Sequence, residues 1–97
     1  MKLDQIEKWL LTHASLLHGS NIKLLDVFKT SETVPKPAIR IDLISDDRIG
    51  RMTVWATGEC DIEAIDIVTE QNVLWKNSIV ENETDFAKVF MILIDVL

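Results

Sequence analysis

The sequence predicts an α+β domain, an antiparallel five-stranded meander sheet with an N-terminal and a C-terminal helix packed on one face. Three observations lead there. The chain has 97 residues, room for one core and a single domain over residues 1–97. Apolar residues recur at helical spacing near both ends and at alternating spacing between them. The alternating segments are separated by short turn-forming stretches, so consecutive strands join as antiparallel neighbours rather than through crossovers.

Residues 3–18 read as the first helix. Leu3, Ile6, Leu10, Leu16 and Leu17 form its apolar side, Asp4, Glu7 and Lys8 lie opposite, and Gly19 is the stop. Residues 22–30 suit a strand, although Leu24 and Leu25 break the alternation by standing side by side. Pro35 and Pro37 cannot donate to a ladder, so the next strand starts after them. It covers 38–45, with Ile39, Ile41 and Leu43 facing one way and Arg40, Asp42 and Ile44 the other. A turn over 45–50 ends at Gly50, a residue able to take positive φ. Residues 51–57 alternate again, Met52, Val54 and Ala56 against Arg51, Thr53, Trp55 and Thr57. Gly58-Glu59 closes a hairpin into residues 60–68, and the last strand covers 73–80. Asn82 can cap the second helix, and Glu83 and Asp85 suit the positive end of its dipole. That helix runs to about Val96 with Phe86, Val89, Phe90, Leu93 and Leu97 as its stripe. Both helices must cover the face carrying Ile39, Ile41, Leu43, Met52, Val54 and Ala56. The order of strands in the sheet is left open, because the first strand is long enough to pair centrally.

Composition narrows the class of function. The net charge is −6, from 16 acids and 10 bases. It is unevenly placed: residues 1–57 are nearly balanced, whereas 58–97 hold nine acids and only Lys76 and Lys88. Such a surface repels phosphate, which disfavours direct nucleic-acid binding. It serves either as a solubility charge or as a patch that steers a basic partner. The one cysteine, Cys60, precludes an internal disulfide and fits a reducing compartment. No signal peptide is recognised, and the apolar run Val89–Ile94 is too short to span a bilayer. A soluble, cytoplasmic protein without a membrane role is expected.

Catalytic groupings fail on inspection. His13 and His18 are about 140° apart around a helix, so they do not share a metal. Cys60 stands between Glu59 and Asp61, whose charge raises a thiol's pKa. Nucleophile elbows and phosphate-cradling glycine loops are absent. Asp61 and Glu63 lie about 7 Å apart on one side of a strand. That spacing suits a solvated face, a partner contact, paired acid–base work or a weak cation site. No cofactor or metal is expected, and the chain reads as a non-enzyme.

Trp9 and Trp75 read as core residues, Trp75 with Val73 and Ile79 on its side of the strand. Trp55 stands on the polar side of its strand. It is either a binding anchor or the stacking partner of Arg40 or Arg51.

The run Met52-Thr53-Val54-Trp55-Ala56-Thr57-Gly58-Glu59-Cys60-Asp61-Ile62-Glu63-Ala64-Ile65-Asp66 and the segment Asn82-Glu83-Thr84-Asp85-Phe86, set in a short acidic helix–sheet–helix chain, resemble the TriTu family of bacterial immunity proteins. The resemblance implies a partner, the C-terminal toxin domain of a contact-dependent growth inhibition effector. It implies that this toxin is a transfer-RNA nuclease acting with elongation factor Tu, and that a ternary complex of the three forms. The residue-level reading agrees in kind, since a transfer-RNA nuclease needs a basic surface and an acidic inhibitor can occupy it. Trp55, Glu59, Asp61, Glu63 and Asp66 are therefore expected in the toxin contact. A monomer is expected when the partner is absent. The competing readings are a small acidic chaperone or adaptor for a secreted effector, which would be an obligate dimer, and a hydrolase using Asp61 and Glu63.

Overall fold

The computed structural model describes all residues, 1–97, in the order α1 (Leu3–His13), a 3₁₀ turn (Ala14–Leu17), β1 (Lys23–Lys29), β2 (Ala38–Ile44), β3 (Arg48–Trp55), β4 (Glu59–Asp66), β5 (Asn72–Ile79) and α2 (Glu83–Val96). The strands pair strictly with their sequence neighbours in one antiparallel sheet, β1-β2-β3-β4-β5. The predicted α+β meander is therefore the fold. The open question of strand order resolves with β1 at one edge and β5 at the other.

Register explains the core. Ile41 stands opposite Met52, and Met52 opposite Ile62; Ile39 opposite Val54, and Val54 opposite Cys60. Side chains directly opposite share a face, so three strands contribute one continuous apolar surface, all of it buried. The helices lie on it. Leu3, Ile6, Trp9 and Leu10 of α1 and Phe86, Val89, Phe90 and Leu93 of α2 are buried. Trp9 meets Phe86 and Phe90 edge-on, at centroid distances of 5.0 and 5.4 Å.

Several local expectations are corrected. The α-helix ends at His13, and a tighter 3₁₀ turn follows, closed by the Ser20 amide and hydroxyl donating to the Leu17 carbonyl. The 120° step of that turn directs Leu17 toward the core and leaves Leu16 exposed. In β1 the adjacent leucines are accommodated by a bulge between Leu24 and Asp26, with Leu25 as the extra residue.

β3 starts three residues early. Ser45 folds the turn tightly: its hydroxyl accepts the Asp47 and Arg48 amides, and its own amide donates to the Arg48 carbonyl at 2.9 Å. Gly50 consequently lies inside the strand, and positive φ among glycines occurs at Gly19 and Gly58 instead. What Gly50 provides is space. A Cβ there would come within 3.0 Å of Leu93 and Leu97 side-chain carbons, so α2 presses directly onto the β3 backbone. Ala56 falls in the β3–β4 turn and is exposed, because the strand ends at Trp55.

α2 is capped as the sequence indicates. The Asn82 side chain accepts the Asp85 amide at 2.9 Å, and the Asp85 carboxylate accepts the Glu81 amide at 3.1 Å. At the other end, the Arg48 guanidinium donates to the Val96 carbonyl at 2.6 Å, where the helix dipole is negative. Asn82→Ala is expected to lower stability by about 1 kcal/mol, read as a shift of the urea midpoint at constant slope.

Candidate functional site

Alternation leaves the second face of the sheet uncovered by either helix. Two rows of paired residues cross it. One is Phe28, Arg40, Thr53, Asp61 and Asn77; the next is Asp26, Asp42, Arg51, Glu63 and Trp75. At one end stands Trp55, next to Glu59.

The charges on this face are organised rather than scattered. Asp42 is the hub, with only 8 % of its surface exposed. Arg51 donates to it at 2.8 Å through Nε and 3.4 Å through Nη2. Donating to Asp42 raises the Arg51 pKa, with Glu63 adding a smaller electrostatic pull. Arg40 bridges Asp26 and Asp42 at 3.6 and 3.5 Å and lies over the Phe28 ring. Its Nε is buried at ion-pair distance from Asp42 but is not aligned to form a hydrogen bond. At the far end, Lys36 bonds Glu59 at 3.0 Å and sits 4.9 Å over the Trp55 ring.

The five expected contact residues therefore separate. Trp55, Glu59, Asp61 and Glu63 come together on the open face. Trp55 is covered by Lys36, from the loop before β2, and not by Arg40 or Arg51; the proline-bounded loop brings in a cation that strand alternation alone does not reveal. Asp61 accepts a hydrogen bond from the Asn77 side chain. Glu63 stands between Arg51 and Trp75. Asp66 is employed elsewhere. It pairs with Arg48, and its carboxylate closes the β4–β5 turn by accepting the Val68 and Thr69 amides, both at 2.9 Å. Those amides, Thr69 foremost, hold its pKa below the ordinary 3.8. A depressed carboxylate stabilises the fold above its unfolded pKa and ceases to do so as the pH falls through its folded value. Asp66→Asn is thus expected to flatten the acid limb of the stability profile below about pH 4, measured by urea unfolding at stepped pH.

Trp75 corrects the expectation of a core tryptophan: it is 67 % exposed. The register puts it opposite Glu63, and the irregularity next to Val73 leaves Leu74 as the inward residue at that level. The open face therefore has two tryptophans flanking its acids, and Trp75 is the one the sequence reading missed. The available signal was its spacing from Asn77 and Ile79, which only the register could assign to a side.

The remaining candidates belong to the scaffold. The His13 ring stacks on Trp9 at 4.2 Å, and its Nδ1 lies 2.9 Å from the Trp9 carbonyl. Cys60 is fully buried; burial, with Asp61 as the lesser cause, pushes its thiol up to about 12. It is expected to stay unreactive toward a disulfide reagent at pH 8 while folded, and to react stoichiometrically in urea.

The sequence pattern of one family, described as immunity protein TriTu, matches residues 4–96, nearly the full length. The chain belongs to the TriTu immunity proteins. No curated protein matches it. Membership makes the face described above a surface of an immunity protein, whose task is to bind. This TriTu member has no helix long and apolar enough to cross a membrane. The open face has aromatic rings at both ends of the patch, carboxylates at Asp61 and Glu63 that no lysine or arginine binds, and ion pairs centred on Asp42 beside them.

Proposed function

We propose that this chain neutralises a cognate contact-dependent growth inhibition toxin by laying the open face of its sheet on the toxin's basic surface. The observation that carries the reading is membership of an immunity family together with a helix-free face where Trp55 and Trp75 flank Glu59, Asp61 and Glu63. In this reading the toxin is a transfer-RNA nuclease that works with elongation factor Tu, and the immunity protein joins both in a ternary complex in the cytoplasm. Carboxylates on a rigid sheet take the place of phosphates on the nuclease. Inhibition is stoichiometric and requires no chemistry from the inhibitor. Asp66 supports the β4–β5 turn and acts on the contact only through that turn.

The test uses the cognate toxin domain, which the immunity reading expects to be encoded immediately upstream of this chain's gene. Co-expression is expected to restore growth, and the two proteins are expected to co-purify one to one. The association rate is expected to fall steeply as salt is raised. A rate that is flat across that range removes electrostatic steering, and a failure to protect removes the immunity role for that toxin. Light scattering of the free protein is expected to give a monomer. An obligate dimer favours the chaperone reading.

A further inference from the structure

An open sheet edge is a template for another strand, and natural proteins usually blunt theirs with charges, prolines or bulges. The two edges here differ. β1 holds Lys23, Asp26 and Lys29 within seven residues, has a bulge in its first half, and is tied to α1 where Lys29 bonds Asp4 at 2.7 Å and Glu7 at 3.4 Å. β5 has eight residues, no proline and one charge, Lys76, and its irregularity is confined to its start. Trp75 and Ile79 are exposed along it.

The direction of the β5 backbone groups follows from the ladder. The Val80 amide donates to the Gly58 carbonyl at 2.7 Å, in line with the register Glu59–Ile79 and Cys60–Ser78. Bonded and non-bonded pairs alternate in an antiparallel pair. Cys60–Ser78, Ile62–Lys76 and Ala64–Leu74 are therefore the bonded pairs. Trp75, Asn77 and Ile79 turn their N–H and C=O groups away from β4, toward the open edge. The same three residues project their side chains onto the open face, beside Glu63, Asp61 and Glu59. Unpaired backbone, exposed indole and carboxylates coincide along one line.

We infer that β5 is a docking edge that accepts a cationic β-strand of the toxin as a sixth strand of the sheet. The inference rests on the toxin-binding reading above and specifies how the contact is made. Backbone bonds to Trp75, Asn77 and Ile79 supply the pairing. Neighbouring strands stand about 4.8 Å apart, so a residue opposite Trp75 starts about 10 Å from β4. A lysine or arginine there spans that gap by lying across the indole with its charged end at Glu63. The next outward residue of the incoming strand reaches Asp61 over Asn77. The occupant is thus a strand with basic residues at alternate positions, and Lys76, on the opposite face, does not oppose it.

The experiment measures amide hydrogen exchange of the full chain, alone and saturated with the cognate toxin domain that the proposed function names, and compares Asn77→Pro with Asn77→Ala in toxin binding. Both variants lose the Asn77–Asp61 side-chain bond, and only the proline removes the outward N–H. The expected result is protection of the Trp75, Asn77 and Ile79 amides on binding, with no gain along β1. Asn77→Pro is expected to bind at least tenfold more weakly than Asn77→Ala. Binding of the wild-type protein without protection along β5 overturns edge docking and leaves the immunity reading standing. Protection of these amides in the free protein, with a dimer in light scattering, also overturns it, since a second copy then fills the edge. No binding by the wild-type protein overturns the toxin reading itself. The exchange result on the wild-type complex decides the matter even if the proline variant fails to fold.

Discussion

Phe86→Ala is expected to lower the unfolding free energy by about 3–5 kcal/mol, a large part of the roughly 5–15 kcal/mol that holds a domain of this kind together. Phe86 is completely buried in the first turn of α2. Its ring meets Trp9 edge-on at 5.0 Å and stacks with Phe90 at 6.0 Å. Removing it opens a cavity where the two helices meet, and the sheet beneath cannot collapse into it because its inward residues are already held by register. The loss also removes one of the two edge-on contacts of Trp9 with α2 and so weakens the grip of α1 on the rest of the molecule. Urea unfolding followed by tryptophan fluorescence, with a fall in Tm of at least about 12 °C, is the check. A change below about 1 kcal/mol would mean that the helices contribute little to the core.

The second large effect concerns binding. The double reversal Asp61→Lys with Glu63→Lys is expected to slow association with the toxin about tenfold to a hundredfold at low salt and to abolish protection of growing cells. These are the two carboxylates of the open face without a lysine or arginine bonded to them; Glu59 is held by Lys36, and Asp26 and Asp42 by arginines. Steering depends on field that is not cancelled nearby, so they should matter more than their number suggests. The control is Asp95→Lys, an exposed site on α2 and thus on the helical side of the molecule. It changes net charge in the same direction and is expected to leave association within about twofold, because exposed charges act over a Debye length of only about 8–10 Å. Stopped-flow association at two salt concentrations, with circular dichroism to confirm folding, makes the comparison. Equal slowing by both substitutions would assign the effect to net charge and not to this face.

Some of this was legible in the sequence for a definite reason. Ile39, Ile41, Leu43, Met52 and Val54 alternate without interruption, and alternation is the signature of a strand with one buried side. Short turns made a meander the economical path, and Asn82 announced the start of α2. The less legible features depend on register, which no single segment reveals. Val73, Trp75 and Ile79 form an apolar row that reads as inward, yet pairing opposite Glu63 turns that row outward. Gly50 looks like turn chemistry until Leu93 and Leu97 are seen to occupy the place of its side chain. The acids of β4 could be placed on one side by parity, but their division into Glu59, bound by Lys36, and Asp61 and Glu63, without a cationic partner, needed the loop bearing Lys36. The turn role of Asp66 was within reach: an aspartate whose carboxylate accepts the amides two and three residues on is a local bonding pattern visible before any fold is known.

The nearest-neighbour order of the strands has a kinetic consequence. Each hairpin closes a short loop, so the sheet can assemble strand by strand as the chain leaves the ribosome, in a topology that favours rapid folding. The Trp9–Phe86 clasp is the opposite case, joining residues from the two ends of the sequence. Until the last helix is made, the apolar side of a completed sheet has only α1 to cover it and stays partly open to proteases and to other nascent chains. The molecule therefore gains its resistance to degradation in one late step, and the delay between translation of β5 and docking of the final helix is the interval in which a producing cell's supply of antidote is most vulnerable.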